Sequence, residues 1–139
     1  MRYLLDTNVI SELRKKKPDT NVLAWITNIE SEHLFISCLT VGEIKAGIIK
    51  LAKKDKIAAG SLTKWLDEII KNYEENLLNI DLKTCLIWSE LMSIDSSNAI
   101  DGLIAAQSIN HNMTLVTRNI KHYVPFKNRL LNPFEKIGD

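Results

Sequence analysis

A chain of 139 residues and 15.8 kDa fits one domain and can bury a substantial core. Its 45% hydrophobic and 25% charged residues are ordinary for a globular protein, and no apolar run approaches the roughly 18 to 20 residues of a bilayer span. A formal charge of +1 and a pI near 7.8 make no case for binding nucleic acid through bulk charge. The opening MRYLLD has neither the apolar stretch nor the cleavage site of a signal peptide, so the cytoplasm is the expected compartment. Cys38 and Cys85 show no CxxC or Cys/His ligand spacing and read as small buried residues.

Along the chain, Arg2 to Leu5 predicts a short buried strand ending at Asp6, and Asn8 to about Lys16 a helix stopped before Pro18. Val22, Trp25, Ile26 and Ile29 recur at helical spacing. Leu34 to Cys38 (LFISC) predicts a second strand. Val41, Ile44, Ile48 and Leu51 form one face of a third helix, which ends in the run Lys53, Lys54, Lys56. After a break at Gly60-Ser61, the residues Leu62, Trp65, Leu66, Ile69 and Tyr73 mark a fourth helix. Leu77 to Ile80 predicts a strand, and Trp88, Leu91 and Met92 belong to a fifth helix. A polar Ser96-Ser97-Asn98 loop leads into a strongly apolar sixth, Ala99 to about Asn110. Met113 to Thr117 and Arg129 to Leu131 complete the predicted strands.

Short apolar strands alternating with longer helices predict an α/β fold, a sandwich of helices around a mostly parallel sheet. No repeat, low-complexity tract or linker divides it, so residues 1–139 read as one domain. Ligands of such folds sit outside the carboxyl ends of the strands. Asp6 and the stretch Thr117 to Asn119 both directly follow a predicted strand.

Asp6, Glu43 and Asp101 each stand at or just inside a predicted helix start, and each has a structural explanation. Asp6 is suited to an N-cap. Thr40-x-x-Glu43 matches a capping box. Asn98 can cap the sixth helix and leave Asp101 in a first turn that favours negative charge. Brought together, the same three acids make an all-oxygen cluster suited to a hard divalent cation such as magnesium. Spacing alone leaves both readings open. The basic runs Arg14 to Lys17 and Lys53 to Lys56 read as solvated helix ends or as phosphate contacts. His33 and His111 read as surface residues, and Trp25, Trp65 and Trp88 as core. GxxxxGK[ST] and GxSxG motifs are absent from the sequence.

The words around the acids are more specific. LLDTNVISELRK, TVGEIKAGI and AIDGLIAAQSINHNMTLVTRN, followed in order and supported by WSELM and RLLNPFE, resemble the motifs of the PIN-domain family. The likeness is stronger to its VapC-type toxin branch, including the FitB-like members. This resemblance implies a PIN-like α/β/α sandwich and a magnesium- or manganese-dependent endoribonuclease. It implies metal binding by Asp6, Glu43 and Asp101, directly or through water, with Thr7 orienting water or a phosphate oxygen. Thr117 and Asn119 are then expected on the rim, with Arg118 as a phosphate contact.

Two positions depart from the family pattern. His122 stands in TRNIKHY where relatives carry an aspartate, and Asn119 stands where other PIN domains have a fourth acid. A neutral imidazole can bind metal but supplies no negative charge, so weak or single-metal binding is expected. The implied partners are a structured RNA such as transfer RNA, a VapB-like antitoxin whose basic C-terminal segment covers the cleft, and a second copy in a homodimer, with no membrane. Two rivals stay open: a catalytically silent binding module, and a nuclease acting on DNA.

Overall fold

Strand alternation sends Leu4 and Leu5 to opposite faces of one sheet, and both are fully buried. A half-exposed sheet would leave one of them wet, so helices must cover both sides. The structure is a computed structural model that describes residues 1–137. Its strands are β1 (Tyr3–Leu5), β2 (Leu34–Ser37), β3 (Leu77–Leu78), β4 (Thr114–Val116) and β5 (Leu130–Leu131). They form a wholly parallel sheet in the order β3-β2-β1-β4-β5, with Leu4 beside Phe35 and Leu115 and Leu5 beside Val116.

On one face, Leu5, Ile36 and Val116 pack with Val9 and Ile10 of α1 (Thr7–Leu13) and Val22 and Trp25 of α2 (Thr20–Ile26). On the other, Leu4 and Leu115 pack with Leu91 of α5 (Leu82–Ile94), Ile104 of α6 (Ala99–Asn110), Tyr123 of α7 (Ile120–Tyr123) and Phe126. The expected α/β architecture with a parallel sheet is therefore what forms. A smaller cluster of Ile48, Ala59 and Leu66 joins α3 (Cys38–Ala52) to α4 (Lys56–Asn72). Among the described residues, no helix is long and apolar enough to cross a membrane.

Several local expectations are corrected. Helix α3 starts one turn earlier than expected, because β2 ends at Ser37 and the Ser37 hydroxyl accepts a bond from Leu39 N at 3.1 Å. Thr40 therefore lies inside the helix, fully buried with its Oγ1 unpartnered among the described residues, and the Thr40–Glu43 capping box does not form. No break occurs at Gly60-Ser61. An exposed helical glycine costs only about 1 kcal/mol, whereas Ala59 and Leu66 on either side of it bury against α3. Cys85 is exposed and Cys38 half-buried, against the expectation that both are buried. The third strand shrinks to Leu77–Leu78, and the short helix α7 was not foreseen.

Helices α5 and α6 approach closely at Gly102. A Cβ there would overlap Met92 Cε and lie 3.3 Å from Trp88 Cδ1, in an indole already fixed by its bond to Ala99 O at 3.1 Å. Met92 can swing its terminal methyl aside, but the indole cannot move as freely. Gly102→Val should therefore cost about 2 kcal/mol, in the range for overpacked cores. Urea unfolding measures it, and a valine variant as stable as wild type would show that α5 and α6 can separate at no cost.

Candidate active site

Successive strands are added on one side of β1 and then on the other, so β1 and β4 flank the point where the order reverses. A crevice opens beyond the carboxyl ends of the strands at such a point. Asp6 is the first residue past β1. Its N–H still donates to Val116 O at 2.9 Å, and its Oδ1 accepts from Thr7 N at 2.9 Å, so it does cap α1. Asp6 is buried, and its Oδ2 accepts from Thr117 Oγ1 at 2.8 Å, Tyr123 OH at 3.2 Å and Asn8 Nδ2 at 3.4 Å.

Asp101 enters from α6, whose cap is Asn98, accepting from Asp101 N at 3.0 Å. Its Oδ1 lies 3.2 Å from Tyr123 OH, and its Oδ2 lies 3.4 Å from Nδ1 of His122. Glu43 enters from α3, where its Oε1 accepts from Thr7 Oγ1 at 2.9 Å. A continuous line of contacts thus runs from His122 through Asp101, Tyr123, Asp6 and Thr7 to Glu43. Among the described residues, His122 is the only basic side chain paired with any of the three acids.

The charges are felt across this line. Partial desolvation raises the carboxyls of Glu43, although it is exposed, and of half-buried Asp101, and the charge on Asp6 adds to both. Hydrogen bonds from Thr7 and Tyr123, respectively, oppose the rise. Burial, reinforced by Asp6 and Asp101, pushes the Tyr123 phenol far up, so it stays a protonated donor. The three carboxylates do not close on one another as tightly as Glu30, Glu32 and His33, whose ligand atoms all lie within 4.8 Å. That other group precedes β2, at the opposite end of the sheet from the crevice. A hollow of about 580 Å³, larger than those beside α7 and lined by Glu32, Lys71 and Tyr73 among others, is also at that end. Chemistry rather than size therefore singles out the crevice.

The rim residues divide by exposure. Thr117 has no exposed surface, and its hydroxyl is fully used, donating to Asp6 and accepting from Asn8 Nδ2 at 3.3 Å and Asn119 N at 3.0 Å. It supports Asp6 instead of meeting a ligand on the rim. Arg118 is exposed with its guanidinium 4.5 Å from the centre of the Phe134 ring. Asn119 is exposed at the start of α7 and makes no side-chain cap there. His122 is 58% exposed. Two open hollows flank α7, one of about 330 Å³ lined by Asp101, Asn98, Lys121 and His122, the other of about 260 Å³ lined by Arg118, Asn119, Lys121 and His122 among others.

Two members of this network had no assigned role in the sequence reading. Asn8 latches the loop after β4, accepting from Arg118 N at 3.0 Å while donating to Asp6 and Thr117. Tyr123 ties the two aspartates together. Its one signal was a hydroxyl within an otherwise apolar stretch, since a buried tyrosine needs a partner for its O–H.

The raised carboxyls have a stability consequence. The folded protein binds protons at Glu43 and Asp101 more tightly than the unfolded chain does. Their favourable contribution to the metal-free fold is present at acid pH and lost as pH rises through the raised values. In metal-free buffer, the melting temperature of wild type should therefore fall relative to Asp101→Asn as pH rises above the ordinary carboxylate value of about 4. Scanning calorimetry of both proteins tests this, and a difference independent of pH would show that Asp101 is under no charge pressure.

A wholly parallel sheet with acids gathered where its strand order reverses defines the class, and the PIN domain family model matches residues 3–125. The chain belongs to the PIN-domain family. It is 32% identical to VapC ribonuclease Y4jK of Sinorhizobium fredii, covering 95% of this chain and 97% of that protein. To Toxin FitB of Neisseria gonorrhoeae it is 29% identical, covering 94% and 97%. The crystal structure of FitAcB from Neisseria gonorrhoeae aligns with a TM-score of 0.87 at 28% identity, over 96% of this chain and 99% of that one.

Proposed function

We propose that this chain is an endoribonuclease dependent on magnesium or manganese and the toxin of a toxin–antitoxin pair. The observation that carries the reading is the line of three carboxylates at the switch point of the sheet, linked to one another yet paired with no lysine or arginine among the described residues. Anionic oxygens in excess of protein cations are the donor set of a hard divalent ion. Asp6, Glu43 and Asp101 would hold it, directly or through water, and His122 can add only a neutral ligand. When bound, such an ion lowers the pKa of a water and offsets charge on the leaving oxygen of a phosphodiester.

The protein's own groups supply the positioning. Thr117 and Asn8 hold the Asp6 carboxylate in place, and Thr7 does the same for Glu43. Arg118, Asn119, Lys121 and His122 line the open rim on which an RNA backbone would lie. Structured RNA, with transfer RNA foremost, is the proposed substrate. The proposed partners are a second copy and an antitoxin whose basic C-terminal segment enters the cleft; the relatives named VapC ribonuclease and Toxin FitB support this reading.

The rival with a specific observation behind it is the catalytically silent module, since His122 and Asn119 leave the cluster with only three acids. Transfer RNA and a single-stranded DNA of the same sequence, incubated with purified protein plus magnesium, manganese or EDTA, separate the readings. The expected result is RNA cleavage in either metal and none in EDTA. Cleavage of DNA alone would replace the substrate, and cleavage of neither would favour the silent module.

A further inference from the structure

Tyr123 is 1% exposed, its ring held in the core with Leu91, Ile104, Ala105 and Phe126. Its hydroxyl stands between Asp6 Oδ2 and Asp101 Oδ1, 3.2 Å from each. A phenol has one hydrogen to give, and an ionised carboxylate offers only lone pairs. Both aspartates therefore compete for a single donor, and the donor keeps their charges apart in the absence of a better one.

We propose that the Tyr123 hydroxyl is a built-in competitor for the divalent cation. It bonds one aspartate at a time and stands between the two in the metal-free protein, and must move aside before both can close on one ion through those oxygens. The proposal rests on the reading of Asp6 and Asp101 as metal ligands. The exchange falls unequally on the two acids. Asp6 Oδ2 keeps Thr117 Oγ1 at 2.8 Å and Asn8 Nδ2 at 3.4 Å when the phenol turns away. Among the described residues, Asp101 has, besides the phenol, only the largely exposed His122 at 3.4 Å. Tyr123 thus holds the free protein's cation affinity down, and phosphates of a bound substrate, themselves ligands for magnesium, tip the exchange. Its role is positioning, because it acts through the aspartates.

A purely structural tyrosine makes a different prediction from a competitor. Loss of a structural hydroxyl lowers stability and leaves metal affinity alone, whereas loss of a competitor lowers metal-free stability and raises affinity. Tyr123→Phe removes the hydroxyl and keeps the ring. In calorimetric titrations the variant should bind manganese on the order of tenfold more tightly, the equivalent of one charge-assisted hydrogen bond no longer surrendered. Its melting temperature should be lower without metal and should rise further on saturation than that of wild type. Wild type alone provides a second readout: manganese should perturb a tyrosine band in its near-ultraviolet spectrum as the phenol changes partner. Equal or weaker manganese binding by a folded Tyr123→Phe, or an unperturbed wild-type spectrum at saturation, would overturn the proposal. Wild type that binds no manganese would remove the metal reading along with it, so the two failures are distinguishable.

Discussion

Asp101→Asn should lose RNA cleavage by about two to three orders of magnitude or more, the scale seen when one preorganised charge-stabilising group is removed. An amide oxygen is neutral and binds a hard cation far less well than a carboxylate. The same variant should fold at least as well as wild type without metal, because its amide oxygen can still accept from Tyr123 and a half-buried negative charge has gone. Asp6→Asn should be equally inactive but less stable. The Asp6 carboxylate accepts from Thr7 N, Thr117, Tyr123 and Asn8, and an asparagine presents an NH₂ group to some of those donors. Each buried donor left unpaired costs about 1 to 3 kcal/mol. Glu43→Gln should lose activity with its helix intact, since Ser37 rather than Glu43 caps α3. Cleavage assays in magnesium and melting curves in EDTA give the two axes. Wild-type rates in either aspartate variant would refute the assignment of the carboxylates.

The second large effect is on a host cell. Expression in a bacterium should arrest growth, and co-expression of an antitoxin with an Arg- or Lys-bearing C-terminal segment should relieve the arrest. A guanidinium forms paired, charge-assisted hydrogen bonds with carboxylates, and the crevice offers acids without a lysine or arginine partner among the described residues. Asp101→Asn should be harmless when expressed, and it should also hold such a segment less tightly. Growth curves with induction of wild type, variant and pair decide the matter. Normal growth in cells that accumulate folded wild-type protein would count against the toxin reading and for a silent module.

Much of this was legible in the chain because several signals agreed locally. Helix α6 is the clearest case. Its Asn98 cap, its acid in the first turn and its apolar body all point to one helix, and the expected span Ala99 to Asn110 is the observed one. The strand end at Asp6 was also readable, because the apolar run stops at a polar residue, whereas the late strand, expected over Met113 to Thr117, stops one residue earlier, at Val116. Misreadings arose where two local solutions are nearly equal in energy. Ser37 and Thr40 are both good caps, and only the length of β2, a tertiary matter, chooses Ser37. Gly60-Ser61 is a plausible break until the packing of Ala59 and Leu66 on α3 outweighs it. Tyr123 escaped notice for another reason. A tyrosine among Val124, Pro125 and Phe126 looks like core, as its ring is, and only the three-dimensional approach of Asp6 and Asp101 gives the hydroxyl its place.

The parallel strand order also sets a timetable for synthesis. Strand β1 leaves the ribosome first, yet its neighbour β4 comes from the far end of the chain, and Asp6 and its support Thr117 are 111 residues apart. At bacterial elongation rates that interval lasts roughly ten seconds. Throughout it the growing chain carries Asp6 and then Glu43 but lacks Thr117 and Tyr123, the donors that hold Asp6 and stand between it and Asp101. A fragment released before β4 should be inert, because the carboxylates acquire this geometry only once β4 and Thr117 have been made. For a protein whose activity would harm the cell that makes it, this delay leaves time for an inhibitor already in solution to meet the finished crevice as it forms.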